Sequence, residues 1–312
     1  MAEPVALVAL MADAALGWPA WLYARAGHPV GAFARLIGGC ERWGNRPTLS
    51  TATRRLAGVA TIALVVASGT SVAWLAEAAV RAVFGPAGWV AVALLAWPGL
   101  AQRSLNDHVL PVATALERGD LPAARAAVGR IVGRDVEQLD EAGVARAAIE
   151  SLSESVCDGV AAPLFWLLLL GLPGLWAYKG INTADSLIGH REQRWRAFGW
   201  ASARLDDLAN LLPARLSGVL LCLAGGGGWR VMVRDARRHA SPNAGWPEAA
   251  MAGALGIRLA GPIAYDGVVA DKPWIGDGMR EPGAREIKRA LAVYRRACLM
   301  LWIVAGVVAW AR

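Results

Sequence analysis

Glu150, Glu154 and Asp158 recur every four residues, and Asp206 and Asn210 repeat that interval, so each set falls on one face of a helix. Lys179, Arg204 and Arg215 add cations, and Asn182 and Asp185 add an amide and a carboxylate one turn apart. These side chains sit in or beside runs as apolar as VAAPLFWLLLLGLPGLW, residues 160–176. A carboxylate or guanidinium at bilayer depth costs roughly 2.5–3.5 kcal/mol on insertion scales, so chains keep one there mainly where it lines a cavity or binds something. A polar face on an otherwise apolar helix is the pattern of a membrane-embedded reaction chamber or of a transport path.

The elements that must carry these residues are membrane helices. The chain has 312 residues of which 56% are hydrophobic, with a mean hydropathy of +0.38, above the roughly 45–50% apolar share of soluble domains. The expectation is an all-α, polytopic integral membrane protein with spanning helices, broken or re-entrant helices and a cytoplasmic helical insert. Residues 1–312 read as a single membrane domain, with the insert at 103–150 and a cytoplasmic basic loop region at 225–296. Pro4 to Leu22 has no Lys or Arg before it, unlike the basic start of a cleaved signal peptide, and reads as a retained first helix. Further spans are expected at Leu56 to Val83, Pro86 to Leu100 and Ala297 to Trp310, against the about 20 residues that cross a hydrocarbon core. Gly85 and Pro86 should turn the second and third into a hairpin.

The segment Tyr23 to Arg55, read as a loop, carries six Arg and one Glu, which places it in the cytoplasm and the N-terminus outside. Val160 to Tyr178 is interrupted by Gly-Leu-Pro-Gly at 171–174, and Leu205 to Ala224 by Pro213. Two segments that turn back on themselves keep the polar stretches, with Arg25, Arg46, Arg118, Arg191 and Arg238, on the cytoplasmic face of the cell (inner) membrane. Cys40, Cys157, Cys222 and Cys298 form no C-x-x-C pair and read as small buried hydrophobes. No Gly-Lys dipeptide exists, so there is no Walker A loop, and H-E-x-x-H is absent. The net charge of +7 comes with no recognisable nucleic-acid-binding module, and no nucleic-acid partner is expected.

Four clusters carry most of the information: GHPVGAFARLIGGCE at 27–41, ESLSESVCDGVAAPLF at 150–165, YKGINTADSLIGHR at 178–191 with FGWASARLDDLANLLPARLSG at 198–218, and RHASPNAGWPEAAMAGALGIRLAGP at 238–262. Together they resemble the membrane-bound adenosylcobinamide-phosphate synthase family of cobalamin biosynthesis, from about residue 10 to residue 290. Glu154 is followed by Ser155 where that family commonly has Glu-Asn. The resemblance implies an ATP-dependent ligation of (R)-1-aminopropan-2-ol, or its O-phosphate, to a propionate of adenosylcobyric acid. A carboxylate does not condense unaided with an amine, because it is ionised and hydroxide leaves poorly. Such a reaction calls for ATP, for Mg²⁺ held by carboxylates, for cationic clamps on phosphate and for a base.

On that resemblance Asp206, Asp207 and Asn210 are the first metal-ligand set, hard oxygen donors suited to Mg²⁺. Asp206 should share a face with Asn210, and Asp207 should pair with Arg204. Asp158, Lys179, Asn182, Asp185, Arg204 and Arg215 form the catalytic group, the cations clamping phosphate or carboxylate and Asn182 and Asp185 orienting the amine. Glu150, Glu154, His239, Ser241 and Asn243 are the substrate-binding group, with Glu150, Glu154 and Asp158 the alternative metal set. SPNAGWPE, residues 241–248, should begin a helix whose first N–H groups meet phosphate. Plain structural roles stay open for each: capping, snorkelling cations, solvated helix faces. A membrane transporter of a corrinoid or another anionic metabolite also stays open, since broken helices with intramembrane charge build transporter sites as well. The expected partners are the corrinoid, the aminopropanol compound, membrane lipid, and either a homo-oligomer or other cobalamin-pathway enzymes.

Overall fold

The computed structural model describes residues 3–265, 268–270 and 273–311. In chain order the helices are α1 (Val5–Leu16), α2 (Ala20–Ala26), α3 (Val30–Gly44), α4 (Thr51–Phe84), α5 (Trp89–Ala96), α6 (Gln102–Glu117), α7 (Leu121–Val128) and α8 (Glu141–Val156). They continue with α9 (Ala162–Ile188), α10 (Trp200–Ala209), α11 (Leu211–Gly225), α12 (Trp229–Asp235), α13 (Gly245–Leu255) and α14 (Ala284–Ala311). Short strands β1 (Leu259–Ala260) and β4 (Trp274–Ile275) pair antiparallel, as do β2 (Ile263–Tyr265) and β3 (Val268–Ala270). The chain is therefore all-α in class. Three helical stretches, Thr51–Glu117, Glu141–Ile188 and Ala284–Ala311, are long and apolar enough to cross a membrane, or up to five if each of two bent pairs is one span.

The single membrane domain expected from sequence is laid out as two compact units, each assembled from separated stretches. One comprises Met1–Ala101, Ala162–Asn210 and Ala305–Arg312, and the other Gln102–Ala161 and Leu211–Val304.

In the first unit α4 is the longest element. Ser50 caps its start by accepting a hydrogen bond from the Thr53 N–H at 3.1 Å, and Gly85 ends it at φ +54°. The arm beyond that turn is shorter than Pro86 to Leu100 suggested. Only Trp89–Ala96 is α-helical, between 3₁₀ turns that contain Pro86 and Pro98; eight residues reach about 12 Å, well short of the bilayer core. The expected first helix is likewise divided. α1 stops at Gly17, and Ala20–Gly44 departs from it at 106°. The arginine-rich stretch from Tyr23 is not a loop, since α2, α3 and the start of α4 occupy most of it.

α9 packs on α4, α3 and α10. The expected break falls on Gly171, whose φ of 68° and ψ of −160° are non-helical, and Pro173 then sits in the opening turn of the second half. Gly180 lets α9 approach α4 closely, because a Cβ there would lie 2.8 Å from Val65 Cγ1.

In the second unit α13 is the central helix, packed against α8, α11 and α12. The region 225–296, expected as loop, contains α12, α13, the start of α14 and both strand pairs; its residues 266–267 and 271–272 lie outside the described residues. The expected insert is α6, α7 and most of α8, with Asp120 and Asp140 as N-caps for α7 and α8. Cys157 and Cys222 are buried, whereas Cys40 and Cys298 are only half-buried.

Candidate functional site

The first unit gathers Tyr178, Asn182, Asp206 and Asn210. The Tyr178 hydroxyl donates to Asn210 Oδ1 at 2.9 Å, which turns the Asn210 amide nitrogen towards Asp206 Oδ2 at 3.0 Å. Asn182 Nδ2 reaches the other oxygen, Oδ1, at 3.5 Å. Asp206 is only 9% exposed, Asn210 2% and Tyr178 1%. Lys179 lies within electrostatic reach of Asp206 and of His28. The elements explain the convergence. Tyr178 and Lys179 lie one turn before Asn182 on α9 beside the close Gly180 contact, and Asp206 and Asn210 are one turn apart at the end of α10.

The remaining residues assigned to this region go elsewhere. Asp207 pairs with Arg204 at 3.3 Å, with Arg204 largely exposed. Asp185 turns its carboxylate to the end of α9, where Oδ1 fills the space that a Cβ on Gly189 would need. Asp206, Asp207 and Asn210 thus do not face one point. Among the described residues, no three His, Cys, Asp or Glu side chains converge so as to hold a metal ion.

The second unit gathers Arg215, His239, Ser241 and Asn243 around the entry to α13. Arg215 Nη1 donates to Asn243 Oδ1 at 2.9 Å, and its guanidinium lies 4.9 Å from the Trp246 ring centroid. Ser241 Oγ accepts from the N–H groups of Asn243 (3.2 Å) and Ala244 (3.3 Å), and His239 Nδ1 accepts from the Ser241 N–H at 3.0 Å. His239 Nε2 stands 3.6 Å from the buried Glu248. The helix begins at Gly245, four residues beyond Ser241, so Ser241 orders the turn ahead of it and is not its N-cap.

Glu150 is committed at both oxygens. Oε2 meets Arg134 at 2.7 Å, and Oε1 accepts from the Ala260 N–H at 2.7 Å. Ala260 has φ +57°, the single positive φ outside glycine among the described residues, so Glu150 fixes a strained turn. Glu154 is exposed on α8, and Asp158 lies in the π-helical turn, Cys157–Ala161, that follows α8.

The sequence does not single out Tyr178, Trp246 or the partners of Glu150, and marks Glu248 only as the acidic end of the run 241–248. Tyr178 and Glu248 carry a faint signal, a phenol one turn before Asn182 and an acid in a helix's first turn. Arg134 and Ala260 carry none, being 16 and 110 residues from Glu150.

A model of the family described as CobD/Cbib protein matches residues 6–294. The chain belongs to that family. "Cobalamin biosynthesis protein CobD" of Rhodobacter capsulatus is 53% identical over 97% of this chain and 96% of its own length. Proteins of the same name from a Sinorhizobium species and from Geobacter metallireducens are 48% and 43% identical, the first over 96% of this chain and 97% of its own length, the second over 97% and 96%. No solved structure matches. The family match takes in both clusters of polar residues.

Proposed function

We propose that the chain acts in cobalamin biosynthesis as an ATP-dependent ligase joining (R)-1-aminopropan-2-ol, or its O-phosphate, to a propionate of adenosylcobyric acid, with its site towards the cytoplasm of the inner membrane. Family membership and the names of the relatives support the pathway. The observation that carries the chemistry is the buried Asp206, held by the neutral amides of Asn182 and Asn210 with the Lys179 charge in reach. A Mg²⁺ carried by nucleotide phosphates needs only one or two protein carboxylates, and this donor set fits Asp206 as one such ligand, without Asp207. When bound, ATP with its Mg²⁺ supplies the phosphoryl group that activates the propionate for amide formation.

The chain's own residues then have distinct tasks. Lys179 neutralises phosphate oxygens beside Asp206. Asn182, hydrogen-bonded to Asp206, orients the carboxylate and presents an amide to substrate. In the second unit Arg215, fixed by Asn243 and stacked near Trp246, offers a pre-positioned guanidinium for a carboxylate or phosphate. The first N–H groups of α13 add a positive helix end, beside which His239 Nε2 stands 3.6 Å from Glu248. Asp158 is assigned to accept the proton that the ammonium group must lose before its nitrogen attacks. Glu150 is a positioning residue through Arg134 and Ala260.

The test is incubation of the purified full chain, in detergent or lipid, with corrinoid, amine, ATP and Mg²⁺, and mass spectrometry of the corrinoid. An amide product with stoichiometric ATP consumption is expected. Absence of product with either amine, where a working relative gives product, overturns the ligase. Corrinoid uptake into vesicles without ATP cleavage would point instead to the transporter that the break at Gly171 also suits.

A further inference from the structure

The first unit contains a cavity of about 680 Å³ whose walls include Trp18, Phe33, Val72, Leu94, Trp97 and Trp176. Its volume falls in the roughly 300–1,000 Å³ range of ligand pockets. Its side-chain donors are already engaged. The indole N–H of Trp18 donates to Gly27 O, that of Trp97 to Gly17 O and that of Trp176 to Leu95 O, at 3.2, 3.0 and 3.2 Å. The one hydroxyl in the wall, Ser68, donates to Val65 O at 3.0 Å. The wall donors are spent and the Ser68 oxygen is the one side-chain acceptor left among the lining residues, so a polar group entering would lose most of its water partners, at a cost of roughly 2–7 kcal/mol. A nucleotide, an amino alcohol or an amide-bearing ring is therefore disfavoured, and a hydrocarbon chain is favoured.

Charge near the cavity narrows the occupant. Leu22 of α2 and Ala32 and Leu36 of α3 belong to its lining. Arg25 follows Leu22 by one turn, and Arg35 follows Ala32 by one turn. The helical run that carries them leaves α1 at 106°, and Trp21 and Tyr23 on it are each 61% exposed, the habit of a helix lying along a membrane surface.

We propose that this cavity holds an acyl chain of an anionic glycerophospholipid, with Arg25 and Arg35 meeting a headgroup whose net negative charge, unlike that of phosphatidylcholine, no choline cancels. The inference rests on the membrane character of the fold and not on the ligase reading. It is therefore tested with lipid alone, so that failure of either leaves the other standing. The full-length protein, stripped of lipid in detergent, is titrated with phosphatidylglycerol or phosphatidylcholine of identical acyl chains and followed by native mass spectrometry. One tightly retained phosphatidylglycerol is expected, preferred over phosphatidylcholine by about tenfold. Ala76→Phe, which fills the cavity from α4, should weaken retention by about tenfold, and Arg25→Glu with Arg35→Glu should erase the headgroup preference. If Ala76→Phe is not monodisperse on gel filtration, Ala32→Leu at an exposed wall position makes the same test. Retention unchanged in a monodisperse filling variant, equal binding of the two lipids to the unaltered protein, or stoichiometric displacement of the lipid by corrinoid would overturn the proposal.

Discussion

Asp206 in the first unit and Asp235 in the second are both buried carboxylates on helices, at 9% and 0% exposure, yet they are held by opposite means. Asp235 is clasped by Arg234 at 2.5 and 2.7 Å and approached by Arg238 at 3.3 Å, and it accepts the Gly276 N–H at 2.9 Å. Arg234 also grips Asp277, which ties the segment after β4 to α12. Asp206 accepts from the side-chain amides of Asn182 and Asn210, the second steered by Tyr178, with Lys179 as the cation in electrostatic reach. Two neutral donors lessen the cost of desolvating a carboxylate without cancelling its charge. The guanidinium clasp cancels the charge and commits it to architecture. A carboxylate held by amides keeps its charge for something that arrives.

The sharpest way to break that contrast is Asp206→Asn, which keeps volume and loses the anion. Amide formation should fall on the order of a hundredfold or more, the scale for removing a group that stabilises charge in the transition state. Thermal unfolding and gel filtration should stay close to the parent protein. Near-normal turnover at saturating Mg²⁺ would move the metal ligand to Glu154 or Asp158.

Asp235→Asn should do the reverse, lowering stability by about 3–5 kcal/mol, the cost of removing one partner of a buried pair, with turnover per folded molecule retained. The Arg234 guanidinium, assisted by the Gly276 N–H and Arg238, holds the Asp235 carboxyl below the ordinary carboxylate range despite burial. A depressed folded-state pKa contributes stability that is full above the unfolded carboxylate value of about 3.9. That contribution is lost as the pH falls through the folded value. Melting temperature against pH should therefore lose part of its acid limb in the variant. An unchanged acid limb would mean that the clasp contributes nothing to folding.

Glu150→Gln sits between these extremes. It leaves the Ala260 N–H an acceptor but strips Arg134 of its counter-charge, so a loss of about 1.5–3 kcal/mol in stability is expected, again without loss of turnover per folded molecule. Turnover falling while stability holds would return Glu150 to the substrate-binding group.

The sequence made the helical class legible through composition, and the discontinuity at 171–174 through a Gly-Pro pair that no straight helix accommodates. It also made legible the shared face of Asp206 and Asn210, because one helical turn is a local fact. Partners far along the chain were illegible. Nothing in Glu150's surroundings in sequence points to Arg134 or to the backbone of Ala260. The same holds for the π turn at Cys157–Ala161, which replaces regular α-helix around Asp158. Region 225–296 looked like loop because its helices α12 and α13 are only 7 and 11 residues long. Too short to hold together by propensity, such helices depend on tertiary packing.

The smallest expected effect tests the contrast at its closest range, in the residue next to Asp206. Adjacent helical positions diverge by about 100°, and Asp207 accordingly turns from the Asn182 and Asn210 amides to Arg204, whose side chain is 68% exposed. Solvent screens such a pair, which limits its worth to about 0.2–1 kcal/mol. Asp207→Asn should therefore shift the unfolding midpoint slightly and leave the Mg²⁺ dependence of amide formation where it was. If Asp207→Asn instead raises the Mg²⁺ needed for half-maximal turnover as Asp206 substitutions should, then both carboxylates face the ion during the reaction. The Arg204 pair would in that case be a resting arrangement that opens on binding, and charge held by amides would no longer distinguish the reactive carboxylate from the structural ones.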